Sequence, residues 1–463
     1  MTGGARPRPA RPGEVPVCRM HGRQPGAPQA EVIGTVMQRS HFGVVPLCLL
    51  PALIAPAGSV EGGEPVAPVT GAPAAAGPFW LGSATFTGDW GGARTTLAGR
   101  GIRIDAFLND QYQGVWKGGA DTNGSGRNSA SLDVLITFDL DALEVMADAE
   151  ALLHLQSNWG SGINPRTGAL FEVNDDADGD LGLHVAQLWY RQHFLQRKAS
   201  LTIGFLDYQT IIDRNAYADS EDKQFMHQTL DNNPLVPLNI GLGAAVTLRP
   251  TTWYTMVLGV GDAQSVLYKP GFSTAFHDED WWFAFMEHAA QVRVDSPRGE
   301  MPGNYRIGLI YDPRPRLDFT QGEHEPPLRG HDYGLYVSVH QMVYRETAED
   351  EQGLGVFGRF GYRTSETNRL PRFWSGGLQY AGLIPDRDHD VLGFGFSQVE
   401  GSSDYRRGVD PDFDRETVYE LYYAIQVAKW LVVTPDFQYI DNPGASGEFG
   451  HAVVGGVRLR LSL

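Results

Sequence analysis

Asp148, Glu150, His154 and Gln156 recur at even positions through one stretch of the chain, and Gln187, Trp189 and Arg191 alternate in the same way through the next. Carboxylates, amides and guanidinium groups bind hydroxyls through hydrogen bonds, and an indole face covers an apolar ring. Trp159 lies in the connection between the two stretches and joins this candidate set. Together these side chains are equipped to bind and orient a solute rather than to break a bond. The same residues would serve equally as a hydrogen-bonded polar wall with no solute preference, because inward groups of a wide barrel must be satisfied.

Nothing else in the sequence supplies a nucleophile or a cofactor site. Ser220-Glu221-Asp222-Lys223 matches a Ser-x-x-Lys pattern without its companion motifs, and there is no Gly-x-Ser-x-Gly elbow. Gly353-Leu354-Gly355-Val356-Phe357-Gly358 fits a dinucleotide fingerprint by letters alone, since Gly361 and Tyr362 continue a strand and no helix follows. Asp175, Asp176, Asp178 and Asp180 resemble part of a Ca2+ loop but lack its closing Glu, so a solvated acidic extracellular loop is the expectation. His277 to Asp280 and Glu323 to Glu325 lack the His spacing of a zinc site. The expectation is no catalysis, no metal and no cofactor.

The formal net charge of -18 excludes a nucleic-acid partner, which needs a basic footprint. Glycine is abundant at 56 residues and aromatics reach 11%. After residue 60 no run approaches the roughly 20 apolar residues of a spanning helix. Residues 1–58 read as an N-terminal extension plus signal peptide: Met37, the expected start, opens a short basic segment, Phe42 to Ala55 is apolar, and Ala55-Pro56-Ala57 offers small residues for cleavage. Cleavage there removes Cys18 and Cys48, the only cysteines, so the mature chain has neither disulfide nor thiolate chemistry. Residues 59–78 form a flexible Pro/Ala/Gly lead-in, 79–101 a periplasmic segment before the first strand, and 102–463 the barrel.

The elements that must position the candidate residues alternate with period two. Leu132, Val134, Ile136, Phe138 and Leu140 oppose Asp133, Thr137 and Asp139, while Thr417, Tyr419, Leu421, Tyr423 and Ile425 oppose Glu416, Glu420 and Gln426. About 16 such strands are expected. The connections segregate by length: 141–144, 195–198, 250–252 and 429–430 are tight, whereas 114–131, 157–182, 209–239, 263–282, 313–331 and 400–415 are long. Short periplasmic turns alternating with long extracellular loops define a bacterial outer-membrane barrel, and about 16 strands leave room for an aqueous channel. The expected fold is therefore an all-β transmembrane antiparallel barrel in the outer membrane of a Gram-negative bacterium.

Several blocks resemble the carbohydrate-selective porin family (OprB-type). Thr87-Gly88-Asp89-Trp90-Gly91-Gly92-Ala93-Arg94 is similar to the family's opening motif, and Ser200 to Asp207 to a second block in which the family usually has Arg where Phe205 stands. Gly376-Gly377-Leu378 through Gly382-Leu383-Ile384-Pro385-Asp386-Arg387-Asp388-His389-Asp390 to Gly393 resembles a third, and Glu416 to Leu421 followed by Thr434 to Gly444 is the strongest match. Leu463 stands where such barrels usually carry an aromatic residue. The resemblance spans residues 80 to 463 and implies passive diffusion of monosaccharides and similar small solutes. A constriction lined by Asp148, Glu150, His154, Trp159, Gln187, Trp189 and Arg191 is then the sharper expectation. A second, ranked just below it, is the 209–239 loop folding inward with Asp213, Arg214, Asp219, Glu221, Asp222 and Lys223. The alternatives are a general diffusion porin with mild cation preference, favoured by the acidic charge, and a barrel-borne enzyme or adhesin. The expected partners are outer-membrane lipid and small carbohydrates; an oligomer is compatible with the sequence, but no residue marks a subunit interface.

Overall fold

The computed structural model describes residues 83–463 apart from 124–125, 178, 238–239, 267–272, 277–279 and 322–326. The expected leader and flexible lead-in lie outside these residues. Sixteen antiparallel strands close into one barrel. They are β1 (Ile102–Gly118), β2 (Arg127–Asp139), β3 (Ala149–Gly160), β4 (Leu181–Phe194), β5 (Ala199–Asp207), β6 (Ile240–Leu248), β7 (Tyr254–Asp262) and β8 (Trp282–Val294). The second half comprises β9 (Met301–Asp312), β10 (Asp332–Arg345), β11 (Gly353–Arg363), β12 (Arg372–Ala381), β13 (Val391–Glu400), β14 (Arg415–Ala428), β15 (Leu431–Asp441) and β16 (His451–Ser462). Each strand pairs with its sequence neighbour, and β1 closes on β16 from Phe107↔Ser462 to Gly118↔Ala452. Closure leaves no free strand edge in the barrel wall. No helix among the described residues is long and apolar enough to cross a membrane.

Alternation sets the two faces. On β14, Tyr419, Leu421 and Val427 point outward and are exposed, while Glu416, Glu420 and Tyr422 point inward and are buried. Exposed aromatics gather at both ends of the outer wall. Tyr112, Trp116, Trp159, Tyr333 and Tyr362 stand near the long loops, and Trp253, Tyr305 and Tyr344 near the short turns. Such girdles mark the two membrane–water interfaces of a barrel. The segment before β1 packs at the turn end: Phe86 N–H donates to Ser462 O at 2.7 Å, and Arg94 donates to Leu463 O at 2.6 Å.

Strand boundaries differ from the sequence reading most at β1, β2 and β3. The expected 114–131 connection shrinks to 119–126, because β1 and β2 continue into it. Ser129 and Ser131, polar enough to read as loop, face inward and bond side chains of a second loop. β3 likewise continues to Gly160, whose φ of 86° lets the chain turn where a Cβ would meet Asn128 O at 2.3 Å. Trp159 is therefore a strand residue and not a loop residue.

Candidate functional site

The barrel interior is occupied by two of the long loops. Residues 161–180 cover the inner faces of β1, β2 and β15: Asp176 accepts from Gln111 and Ser131 at 2.7 Å each, and Gln438 donates to Val173 O at 2.8 Å. Asp176 is 4% exposed and Asp175 is half-buried, so this part of the acidic run, unlike exposed Asp180, is not the solvated loop expected from its charge. Its carboxylates are consumed by contacts: Asp175 accepts from Asn232, and Asp180 from Gly160 N–H. Asp178 lies outside the described residues, and among those residues no group of three or more metal-ligating side chains forms. Of the other two acidic clusters, 277–279 and 322–326 also lie outside them.

Residues 208–237 are seated by buried groups of the wall. Buried wall carboxylates accept their backbone amides: Glu287 takes Asp213 N–H at 2.6 Å, and Glu420 takes Met226 and His227 N–H at 2.6 and 3.0 Å. Buried wall arginines donate to their carbonyls. Arg359 reaches Leu230 O, Asp231 O and Asp213 O at 3.2, 3.0 and 3.3 Å, Arg363 reaches Leu235 O, and Arg458 reaches Glu221 O and Gln224 O. Arg460 pairs with Asp222 at 2.6 Å. Backbone groups away from water must be paired somewhere; here the wall substitutes for secondary structure, and apolar contacts fill the rest. Phe225 meets Tyr422 edge-on at 5.0 Å between ring centres, beside Leu230 and Phe357. The two loops bond each other through Asp175 N–H to Met226 O at 2.9 Å and Gln228 N–H to Glu172 O at 3.0 Å.

Open space among the described residues includes a run of chambers along β1 to β9. A chamber of about 380 Å3 lies between the loop and the wall, with Asp133, His154, Gln187, Arg214, Asp222 and Lys223 among its lining. Gln187 and Thr210 also border a second of about 210 Å3, walled by Leu152, Trp189, Arg191 and Thr202. Arg191, Thr202 and Ile211 are shared in turn with a third of about 330 Å3 nearer the short turns. Three rungs of the β3–β4 ladder stand along this route: Glu150 opposite Arg191, Leu152 opposite Trp189, and His154 opposite Gln187. Arg191 donates to Glu150 at 2.9 Å and to Thr202 at 2.8 Å, and its guanidinium lies 4.5 Å from the centre of the Trp189 ring. His154 bonds Asp133 at 2.8 Å.

Two candidates fall away from this group. Asp148 precedes β3 in the turn, with φ at 52°, and faces Arg197 at 3.6 Å with both side chains exposed. Even parity places it on the inner face only if the strand begins earlier than it does. Trp159 shares the outward parity of Leu153 and Leu155 and is 41% exposed, so it lies with the outer aromatics. Of the charged loop residues, Asp213 meets Arg359 at 3.3 Å, Asp219 pairs with Arg214, and Asp222 with Arg460. Glu420, Arg359 and Glu287, which seat the loop, did not stand out among candidate site residues. Their signal was a charge at an inward strand position, visible for Glu420 without its partner.

The carbohydrate-selective porin, OprB family, matches residues 123–463. This chain belongs to that family. The porin is 23% identical over 427 residues to Porin B of Pseudomonas aeruginosa, covering 83% of this chain and 93% of that one. It is 22% identical over 414 residues to the putative porin QuiX of Acinetobacter baylyi, covering 81% and 92%. The high-pH structure of Pseudomonas putida OprB superposes with a TM-score of 0.74 at 21% identity, covering 84% of this chain and all of that one. The porin resides in the outer membrane of a Gram-negative bacterium, in contact with membrane lipid.

The seated loop of this porin is sensitive to protons. Burial pushes the Asp213 carboxyl up to about 7 against the pull of Arg359, and Asp219 up to about 6 against Arg214. Burial also drives the His227 imidazole down to about 3. Between 3.8, the ordinary aspartate value, and 6 to 7, the seated loop holds protons on both aspartates that a released loop would give up. Seating therefore weakens as pH rises through that window. His227 acts in the opposite sense between about 3 and 6.5, but one histidine opposes two aspartates. Single-channel conductance at fixed salt is expected to fall as pH is lowered from about 7 to about 5; a flat or rising profile would count against this reading.

Proposed function

We propose that this porin passes small carbohydrates by passive diffusion and performs no catalysis. The observation that carries this is the inner wall built by Glu150, Trp189 and Arg191. A carboxylate and a guanidinium offer an acceptor and donors for vicinal hydroxyls, and the indole face beside them suits the apolar face of a sugar ring. His154 and Gln187, one rung further, add hydrogen-bonding groups to the same path. Each chamber, at about 210 to 380 Å3, is large enough to accept a monosaccharide.

Liposome swelling with purified, refolded protein tests the reading. Glucose is expected to enter faster than an amide of matched size, and maltose more slowly than glucose. Equal rates for glucose and the amide would remove the carbohydrate preference while leaving the pore.

A further inference from the structure

The chamber nearest the short turns differs in charge from the chain as a whole. Arg191, His193, Arg214, Arg249 and Arg306 line it, and none of its described lining residues is acidic. Thr202, Thr247, Gln291 and Asn304 supply neutral hydrogen-bonding groups between them. The carboxylates that partner these cations stand outside the lining: Glu150 behind Arg191, fully buried Glu287 behind Arg306 at 2.6 Å, and Asp219 beside Arg214. Donor capacity is left over. Arg306 Nε is buried without a hydrogen-bond partner, and the Arg249 guanidinium has no ion-pair partner among the described residues.

A guanidinium holds a carboxylate through two parallel N–H donors, and cations on low-dielectric walls concentrate anions between them. The acidic side chains of the preceding chamber present a smaller barrier than their number implies. Asp222 is paired with Arg460 and Asp219 with Arg214, while burial pushes Glu221 and Asp231 well above the usual carboxylate range.

We propose that this chamber is a binding station for the carboxylate of an acidic sugar, so that a hexuronate or aldonate crosses more readily than a neutral hexose. The inference rests on the carbohydrate-pore reading and names a solute class within it. It also runs against the sign of the chain's net charge, which by itself favours cations.

Proteoliposomes holding the native protein, offered glucuronate or glucose at equal concentration and moderate salt, provide the test. Entry is measured by enzymatic detection of each solute inside. Glucuronate is expected to enter about threefold faster, well under the roughly tenfold or greater enrichment that a cleft of one charge sign can produce. Arg249→Gln, at an exposed position at the rim, should bring the ratio close to one, and Arg249→Glu should invert it. A native ratio at or below one overturns the inference, and so does a ratio that neither variant changes. If glucose itself fails to enter, the carbohydrate-pore reading fails first; if glucose enters and glucuronate lags, only the station is lost.

Discussion

Alanine at Arg359 is expected to release the inward loop and widen the channel. The guanidinium is buried and holds three loop carbonyls, with Asp213 at 3.3 Å and Asp219 at 3.8 Å beside it. Its removal leaves those carbonyls without their donor and two buried carboxylates without their cation. Breaking a buried charged network from one side costs about 3–5 kcal/mol, enough to unseat a loop tied down locally. Single-channel conductance should rise and maltose should begin to enter, while the barrel still migrates as a folded species in unheated gel samples. Arg359→Lys should rescue only part of the effect, since a point charge cannot span three acceptors. Unaltered conductance in the alanine variant would mean that the loop stays seated on its other wall partners, Glu287, Glu420, Arg363, Arg458 and Arg460, together with its apolar contacts.

The second large effect is expected at Arg191. Its side chain joins Glu150, Thr202 and the face of Trp189 at one point of the wall. Hydrogen bonds to charged groups contribute about 1.5–3 kcal/mol each and a cation over an indole about 0.5–2. Arg191→Ala should therefore lower the glucose-to-amide flux ratio by about tenfold, with barrel assembly intact. Trp189→Ala and Glu150→Ala should each give a smaller change in the same direction. His193, 3.4 Å from Glu150, can take over part of the lost pairing. If flux is unaltered in all three variants, the constriction is not at this wall.

The strands were legible because their signal is local. Thr417 to Val427 announce an outward face by alternation alone, and the partner strand needs no identification for that reading to hold. Length made the 209–239 loop conspicuous, and its mixed charges suggested an inward fold. Its seat was not legible. Glu420 binds Met226 and His227 across a long stretch of chain, and nothing near either end encodes the pairing. Asp176 shows the same limit from the other side, since an acidic run reads as solvated until Gln111 and Ser131 are brought against it. Asp148 and Trp159 failed for a different reason. Parity was applied beyond the strand at one end, where a positive φ ends the pleat, and a strand was closed too early at the other.

Single-channel recording of the native protein in a planar bilayer, with and without glucose, tests the central claim most directly. A narrow pore whose wall holds a sugar predicts discrete conductance steps that shrink as glucose is added and saturate at high concentration. Discrete steps that glucose leaves unchanged would contradict the sugar-holding wall, and an absence of steps would contradict the open route along β1 to β9.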